Sequence, residues 1–143
     1  MLVGTGTQAK KKTGRTLDQG LVLIIDDDLE TRAASSELVA DLDFWPVTMR
    51  NGLEALEFLR QGFRPVAILV DLYMPLMDGE AFCDALRDLP ALAKTSRILV
   101  SADERAVSRV ARCGAATFLQ KPLKPEQLAE ALRRAKEAAA SGT

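Results

Sequence analysis

Short apolar stretches alternate with segments of helical periodicity along the chain from residue 21 onward. The apolar stretches predict five β-strands, at Leu21–Ile25, Phe44–Met49, Val66–Val70, Ile98–Ser101 and Thr117–Leu119. The segments that follow them predict five helices, at Glu30–Leu42, Leu53–Arg60, Glu80–Leu89, Glu104–Cys113 and Pro125–Ala140. Strands that are each followed by a helix are typical of a parallel sheet covered on both faces, so the sequence predicts an α/β fold.

Glycine and proline positions agree with these predicted elements. Gly62 and Gly114 follow the second and fourth predicted helices, where a left-handed residue commonly ends a helix. Pro125 opens the last predicted helix, where its missing N–H would have no helical partner anyway. Pro46 cannot donate a hydrogen bond to a neighbouring strand, so it predicts that the second strand lies at an edge of the sheet.

Length, composition and charge limit the kind of protein this chain can be. Its 143 residues, 48% of them apolar and 27% charged, suit one globular domain, and no stretch of about 20 apolar residues could span a membrane. Residues 1–20 carry four basic residues, Lys10–Lys12 and Arg15, against one acidic residue, Asp18. We therefore predict a flexible basic N-terminal arm at residues 1–20. A solvated leader or linker is the simpler interpretation of this arm, and an anchor for an anion is the alternative.

Two residue types restrict the chemistry further. The sequence contains no histidine, so the chain by itself cannot form a histidine general base, an imidazole metal site or a phosphohistidine. Its two cysteines, Cys83 and Cys113, are far apart in the sequence and predict neither a zinc site nor a disulfide framework. A reducing, cytoplasmic location is therefore the expectation.

Polar side chains follow four of the five predicted strands. They are Asp26, Asp27 and Asp28 after the first strand, Asp71 after the third, Ser101 at the end of the fourth and Lys121 after the fifth. The carboxyl ends of parallel strands meet at one edge of the sheet, where ligands bind in such folds. Closely spaced carboxylates repel one another, and a Mg²⁺ ion would relieve this repulsion. For Asp28 the alternative is that its side chain caps the helix beginning at Glu30.

These residues stand in an order that resembles a known family, the response-regulator receiver domains of two-component signalling. The resemblance covers about residues 21–140 and rests on these positions: Asp26–Asp27, Asp71, Met74–Pro75, Asp78–Gly79, Ser101–Ala102, Phe118 and Lys121–Pro122. It implies a receiver domain at residues 21–143 with a flavodoxin-like, doubly wound (βα)5 fold. In such a fold the parallel sheet has the strand order 2-1-3-4-5, with helices on both faces.

The resemblance implies a phosphorylation site that uses Mg²⁺. Asp71 would accept the phosphoryl group. Asp27 would bind the metal ion directly and Asp26 directly or through water, together with Asp71 and the backbone carbonyl of Tyr73. Lys121 would neutralise the phosphoryl oxygens, and its bond to the following proline is commonly cis in receivers.

The resemblance also implies a switch and two positions that tune the lifetime of the phosphoryl group. The Ser101 hydroxyl would move toward that group and Phe118 would rotate inward, which changes the surface of the fourth helix, fifth strand and fifth helix. For Phe118 the alternative is an ordinary core aromatic. Tyr73 and Asp103 occupy the tuning positions, and we expect the bulk of Tyr73 to screen the group from water. Asp43 stands where the family often has Gly, and aspartate tolerates a left-handed backbone better than most residues.

A signalling role, rather than that of an enzyme, follows from the resemblance. The chain would take its phosphoryl group from a histidine kinase or a histidine phosphotransfer domain and bind a downstream protein through the switched surface. It would assist only its own phosphorylation and dephosphorylation. We expect no direct DNA binding and no membrane insertion, and a phosphorylation-dependent homodimer is compatible with this role.

Two alternatives stay open at this point. A receiver-like module could serve as an interaction surface without phosphorylation, and a phosphorylation assay separates it from the first interpretation. A magnesium-dependent phosphatase resembling the haloacid-dehalogenase family would use Asp26, rather than Asp71, as its nucleophile. That family usually has Thr or Val where this chain has Glu30, which disfavours the phosphatase.

Overall fold

A computed structural model of the chain describes residues 20–141, which contain five strands and five α-helices. The strands are β1 (Leu21–Ile25), β2 (Trp45–Met49), β3 (Ala67–Asp71), β4 (Ser96–Ser101) and β5 (Thr117–Gln120). The helices are α1 (Leu29–Asp41), α2 (Gly52–Arg60), α3 (Gly79–Leu86), α4 (Val110–Cys113) and α5 (Pro125–Ser141). Two 3-10 segments, Pro90–Leu92 and Glu104–Arg109, precede β4 and α4. The predicted basic arm, apart from Gly20, lies outside the described residues.

The five strands form one parallel sheet in the order β2-β1-β3-β4-β5, which confirms the predicted fold and strand order. β2 lies at an edge and pairs with β1, as Pro46 predicts. β1 lies beside β3 at the centre of the sheet, and its last residue, Ile25, pairs with Val70. The next residues along the two strands, Asp26 and Asp71, therefore lie side by side at the carboxyl edge of the sheet.

Apolar side chains of the central strands fill two separate clusters, one on each face of the sheet. Leu23 and Ile25 of β1 belong to the cluster that α2, α3 and α4 cover, whereas Val22 and Ile24 belong to the cluster under α1 and α5. Successive strand residues point to opposite faces, so a strand buried on both sides needs a continuous apolar sequence. This explains the unbroken apolar stretches seen in the sequence and confirms that helices cover both faces.

The ends of the helices are set by local hydrogen bonds and by left-handed residues. Asn51 accepts a hydrogen bond from the Glu54 N–H at 2.9 Å and so caps the start of α2. Beyond the ends of α2 and α4, Gly62 and Gly114 have φ values of 106° and 66°, as predicted for residues that end a helix. Asp43 is also left-handed, with φ 71°, which confirms the expectation for this aspartate.

Helix α3 is shorter than the sequence predicts. It ends at Leu86, three residues before the predicted end at Leu89. The proline at position 90 disfavours a helical backbone at the residue before it, and Leu89 has φ −119° and ψ 84°. The chain therefore leaves the α-helix before Leu89 and enters a short 3-10 turn.

The prediction of one α-helix over Glu104–Cys113 is wrong for its first six residues, which form a 3-10 segment. The Asp103 carboxylate accepts hydrogen bonds at 3.0 Å from the backbone N–H and from Nε of Arg105, which closes a tight turn at the start of the segment. Val107 is 57% exposed, so its apolar side chain does not mark a buried helix face. Only the final turn, α4, keeps α-helical geometry.

None of the helices between residues 20 and 141 combines the length and the apolar composition that crossing a membrane requires.

Candidate functional site

Three carboxylates meet at the carboxyl edge of β1 and β3. Asp26 and Asp27 follow β1, and Asp71 is the last residue of β3. One oxygen atom from each carboxylate lies within 4.8 Å of the other two. Asp26 and Asp71 are buried, at 4% and 6% exposure, while Asp27 is exposed. The central strand pairing thus produces the acidic cluster that the sequence predicts at this edge.

A single ammonium group lies between the two buried carboxylates. Lys121 Nζ is 2.9 Å from Asp26 Oδ2 and 3.2 Å from Asp71 Oδ2. The Lys121 backbone N–H donates to the Ser101 carbonyl at 2.9 Å, and the bond to Pro122 is cis, as expected. With every group ionised, three carboxylates face one ammonium, so the cluster keeps excess negative charge.

The protonation equilibria of this cluster reflect burial and the neighbouring charges. Burial raises the pKa of Asp71 to about 6; the Lys121 ammonium lowers it, and the Asp26 carboxylate adds to the rise. For Lys121, burial lowers the pKa, but the hydrogen bond to Asp26 and the charges of Asp71 and Asp26 outweigh burial and raise it above its usual value. Lys121 therefore stays protonated, and near neutral pH most of Asp71 is ionised.

Asp28 caps a helix and lies outside the carboxylate cluster. Its carboxylate accepts hydrogen bonds from the Thr31 N–H at 2.9 Å and the Thr31 hydroxyl at 2.6 Å, at the start of α1. These two bonds hold the pKa of Asp28 below its usual value. Of the two interpretations of Asp28 from the sequence, the structure supports helix capping.

The remaining predicted site residues lie on β4, β5 and the loops that follow β3 and β4. Ser101 ends β4 with its side chain buried, and its Oγ accepts a hydrogen bond from the Asp103 N–H at 3.1 Å. Phe118 lies on β5, half-buried, and packs against the core cluster beneath α2 and α3. Tyr73, two residues after Asp71, is 56% exposed. Hydrogen bonds from the Arg105 side chain and backbone hold the pKa of Asp103 below its usual value.

Comparison with known proteins decides the family. Residues 22–133 match the sequence model of the response regulator receiver domain. The chain belongs to this family. This assignment excludes the haloacid-dehalogenase alternative and its use of Asp26 as nucleophile.

Individual relatives of this receiver domain differ in length and context. It is 36% identical over 121 residues to the sensor histidine kinase CheAY of Helicobacter pylori, covering 80% of this chain and 15% of the kinase. It is 38% identical over 119 residues to the response regulator MprA of Mycobacterium ulcerans, covering 78% of this chain and 48% of the regulator. The chain thus spans about half, or less, of these curated relatives.

A solved structure supports the same fold. The receiver domain of the sensor histidine kinase PA1611 from Pseudomonas aeruginosa, which has a magnesium ion coordinated in its active site cleft, superposes with a TM-score of 0.75. The alignment covers 82% of this chain and 98% of that chain at 20% identity, so it shows the fold alone.

The structure of this receiver domain adds residues that the sequence did not single out. Arg32, on the first turn of α1, donates a hydrogen bond from Nη1 to the backbone carbonyl of Asp26 at 2.8 Å. Glu80, at the start of α3, forms ion pairs with Arg109 and Arg112 and so links α3 to the 3-10 segment and α4. Leu76 is left-handed, with φ 73°, and 80% exposed. The sequence could have indicated Arg32, because it is a basic residue one helical turn after an acidic loop. Nothing in the sequence indicates that the backbone of Leu76 is left-handed.

Proposed function

We propose that this receiver domain accepts a phosphoryl group on Asp71 from the phosphohistidine of a histidine kinase or a histidine phosphotransfer domain. The observation that carries the proposal is the environment of Asp71: a buried carboxylate at the end of a central strand, beside Lys121 and two further carboxylates. The role is that of a signalling domain, which assists only its own phosphorylation and dephosphorylation.

The donor atoms at the acidic cluster fit a Mg²⁺ ion. Adjacent ligands of an octahedral ion with bonds of about 2.0–2.1 Å are about 2.9 Å apart, and opposite ligands are about 4.1 Å apart. The carboxylate oxygens of Asp26, Asp27 and Asp71 lie within 4.8 Å of one another, so small side-chain movements suffice. We assign the backbone carbonyl of Tyr73 as a further ligand. A bound Mg²⁺ would supply positive charge to the phosphoryl oxygens.

The chemistry of the transfer requires little from the protein besides position and charge. An Asp71 carboxylate oxygen forms a bond to phosphorus while the bond from phosphorus to the donor imidazole nitrogen breaks, and the imidazole leaves with the electron pair. Asp71 needs no general base because its pKa of about 6 leaves it mostly ionised near neutral pH. The Lys121 ammonium and the Ser101 hydroxyl stabilise the phosphoryl oxygens.

Phosphorylation would act on the surface formed by α4, β5 and α5. The new phosphoryl group adds up to about two negative charges and three acceptors near the end of β4. In our proposal the Ser101 hydroxyl turns from the Asp103 N–H toward this group, and Phe118 rotates into the space that becomes available. Phe118 is only half-buried against the core cluster, so its ring is not enclosed on every side, and this supports the proposal. A downstream protein, or a second copy of the chain, would recognise the changed surface.

Two residues at the edge of the site would set the lifetime of the phosphoryl group. Tyr73 is exposed directly after the acceptor strand, where its ring can screen the aspartyl phosphate from water. Asp103 is engaged by the Arg105 guanidinium in addition to capping the 3-10 segment. We propose that Tyr73 slows hydrolysis of the aspartyl phosphate. Because Arg105 holds the Asp103 side chain, we propose that Asp103 has less influence than Tyr73 on the access of water to this group.

The proposed function includes a domain organisation and a cellular location. We propose a basic arm at residues 1–20 joined to a receiver domain at residues 21–143, acting in the cytoplasm through protein contacts rather than by direct DNA binding or membrane insertion. The phosphohistidine of the donor lies outside residues 1–143, because these residues contain no histidine.

Incubation with acetyl phosphate and Mg²⁺, followed by intact mass, tests the proposed function. We expect a labile gain of one phosphate in the full chain that disappears with EDTA and in Asp71→Asn. Asp88→Asn, at an exposed aspartate on the loop after α3, is the matched control and should behave like the unmodified chain. A folded protein that gains no phosphate would leave the non-phosphorylated interaction module as the better interpretation. An equal gain in Asp71→Asn would show that another residue accepts the phosphoryl group and would reject the role of Asp71.

A further inference from the structure

One of the three clustered carboxylates lacks side-chain partners. Asp26 and Asp71 are both held by Lys121 Nζ. The exposed Asp27 carboxylate forms no hydrogen bond or ion pair with any residue between 20 and 141. The direction of this side chain therefore depends on the backbone of the loop after β1.

The two peptide groups on either side of Asp27 are each fixed by a hydrogen bond. The carbonyl before it, that of Asp26, accepts a hydrogen bond from Arg32 Nη1 at 2.8 Å. The N–H after it, that of Asp28, donates to Asp26 Oδ1 at 2.9 Å. Rotation about φ and ψ of Asp27 would turn one of these peptide planes relative to the other, so the two bonds together restrict the orientation of the Asp27 side chain.

The position of Arg32 is itself determined by the start of α1. Asp28 caps the helix, and the Arg32 N–H donates to the Asp28 carbonyl at 2.9 Å in the first helical turn. This places the half-buried Arg32 one turn beyond the acidic loop, from which its guanidinium extends back to the Asp26 carbonyl. The guanidinium bonds to a backbone carbonyl and leaves the cluster carboxylates to Lys121 and a metal ion.

We propose that Arg32 is a positioning residue that orients Asp27 for Mg²⁺ binding by fixing the peptide group between Asp26 and Asp27. The inference rests on the proposed function, because it concerns the same metal site. Residues that orient metal ligands without touching the metal typically contribute about 10- to 100-fold to metal affinity.

The sign of the effect separates positioning from electrostatics. Arg32 carries a positive charge close to an acidic site, so on electrostatic grounds its removal would tighten Mg²⁺ binding. Loss of a positioning residue weakens binding, because the Asp27 carboxylate must then be ordered when the ion binds. A variant without the charge therefore gives opposite results under the two explanations.

A titration of the full chain with MgCl2, followed residue by residue in ¹⁵N NMR spectra, tests the proposal. We expect the Mg²⁺ Kd of Arg32→Met to rise about tenfold and that of Arg32→Lys, which keeps one donor, to rise less. Arg60→Met, at an exposed arginine on α2, is the matched control and should leave the Kd unchanged. The metal-free spectrum reports whether each variant is folded.

A double-mutant cycle with Asp27→Asn shows whether the effect passes through Asp27. In that background Arg32→Met should change the Mg²⁺ Kd less than twofold, whereas a purely structural role would weaken binding equally in both backgrounds. If Arg32→Met does not fold, Arg32→Gln, whose side chain is too short to reach the carbonyl, replaces it in the cycle.

Three results would overturn the inference. An unchanged or lower Kd in Arg32→Met, or an equal loss with and without Asp27, rejects the role of Arg32 while the unmodified chain still binds Mg²⁺ and accepts phosphate on Asp71. Failure of the unmodified chain to bind Mg²⁺ rejects the proposed metal site and the role of Arg32 together.

Discussion

At the scale of single residues, the site brings together carboxylates whose charges oppose folding. Asp71 is almost fully buried, lies close to the carboxylate of Asp26, and has only a share of the Lys121 ammonium for compensation. In the proposed function these same carboxylates bind the metal ion and accept the phosphoryl group, which accounts for the burial of like charges. The stability of the metal-free protein should therefore depend on whether Asp71 is ionised.

Asp71→Asn should stabilise the metal-free chain at pH 8. The folded pKa of about 6 lies above the unfolded value of about 3.9, so the folded state binds the extra proton and stability falls as pH rises from about 4 to about 6. Removing the charge should raise the free energy of unfolding by on the order of 2 kcal/mol at pH 8, with the difference vanishing near pH 4. Urea unfolding in EDTA at both pH values measures this, and an equal difference at both would contradict it.

Tyr73→Asn should shorten the half-life of the phosphoryl group several-fold. The tyrosine ring is 56% exposed two residues after the proposed acceptor Asp71, so it can limit the approach of water without being required for folding. The decay of phosphorylated protein after removal of acetyl phosphate, followed by intact mass, gives the half-life. Tyr73→Phe keeps the ring and should match the unmodified chain; a half-life in Tyr73→Asn that is unchanged or longer would reject the screening role.

Sequence reasoning predicted the cluster of charged side chains because its members stand at, or directly after, the end of a strand. Asp26, Asp71 and Lys121 stand where apolar stretches end, and parallel pairing brings such ends together. The role of Asp28 was not predictable in the same way, because an aspartate before a helix can either cap the helix or bind a metal ion. Only its hydrogen bonds with Thr31 distinguish these two roles. Arg32 was missed because its bond is to a backbone carbonyl, which no side-chain motif records.

At the scale of elements, the strands were predictable to within two residues and the helices less so. Apolar stretches define strands buried on both faces, whereas helix ends depend on local competition: Pro90 shortens α3, and the bonds of Asp103 convert the start of the fourth helix into a 3-10 segment. Packing also joins residues that are distant in sequence. Cys83 of α3 and Cys113 of α4 are both buried in the same apolar cluster, which their spacing in the sequence did not indicate.

Gly52 and Gly79 are each the first residue of a helix, directly after a capping Asn or Asp. They should differ in how well they tolerate substitution by alanine. A Cβ at Gly79, the first residue of α3, would lie 2.9 Å from both the Asp71 carbonyl oxygen and the Leu72 Cα, which are backbone atoms. A Cβ at Gly52, the first residue of α2, would lie 2.8 Å from Met77 Sδ, which belongs to a flexible side chain.

Gly79→Ala should therefore lower the free energy of unfolding by about 2–3 kcal/mol and Gly52→Ala by clearly less. Urea unfolding of both variants in EDTA measures the difference. Because Gly79 lies against the backbone of the proposed acceptor Asp71, its variant should also slow phosphorylation by acetyl phosphate. Equal costs for the two substitutions would show that Leu72 and Asp71 move aside as easily as the methionine side chain.

At the scale of the whole molecule, the sheet brings charged side chains from separate parts of the chain into contact. Residues more than ninety positions apart, Asp26 and Lys121, are in contact because β1 and β5 end at the same edge. The excess of carboxylates at this edge opposes the folded state in the absence of a cation. A divalent ion that binds only the folded arrangement should then stabilise the entire domain.

Addition of MgCl2 should raise the Tm of the full chain at pH 8. A ligand that binds only the folded state adds about 2.7 kcal/mol to the free energy of unfolding at a hundredfold excess over its Kd. NaCl at the same ionic strength is the control for screening and should raise the Tm much less, because the buried pair of carboxylates is screened weakly. Asp27→Asn, which removes an exposed carboxylate without breaking the Lys121 contacts, should lose most of the Mg²⁺ effect and keep the NaCl effect. If instead MgCl2 stabilised Asp27→Asn as strongly as the unmodified chain, the ion would be acting on the general charge of the surface, and the acidic cluster would not be its binding site.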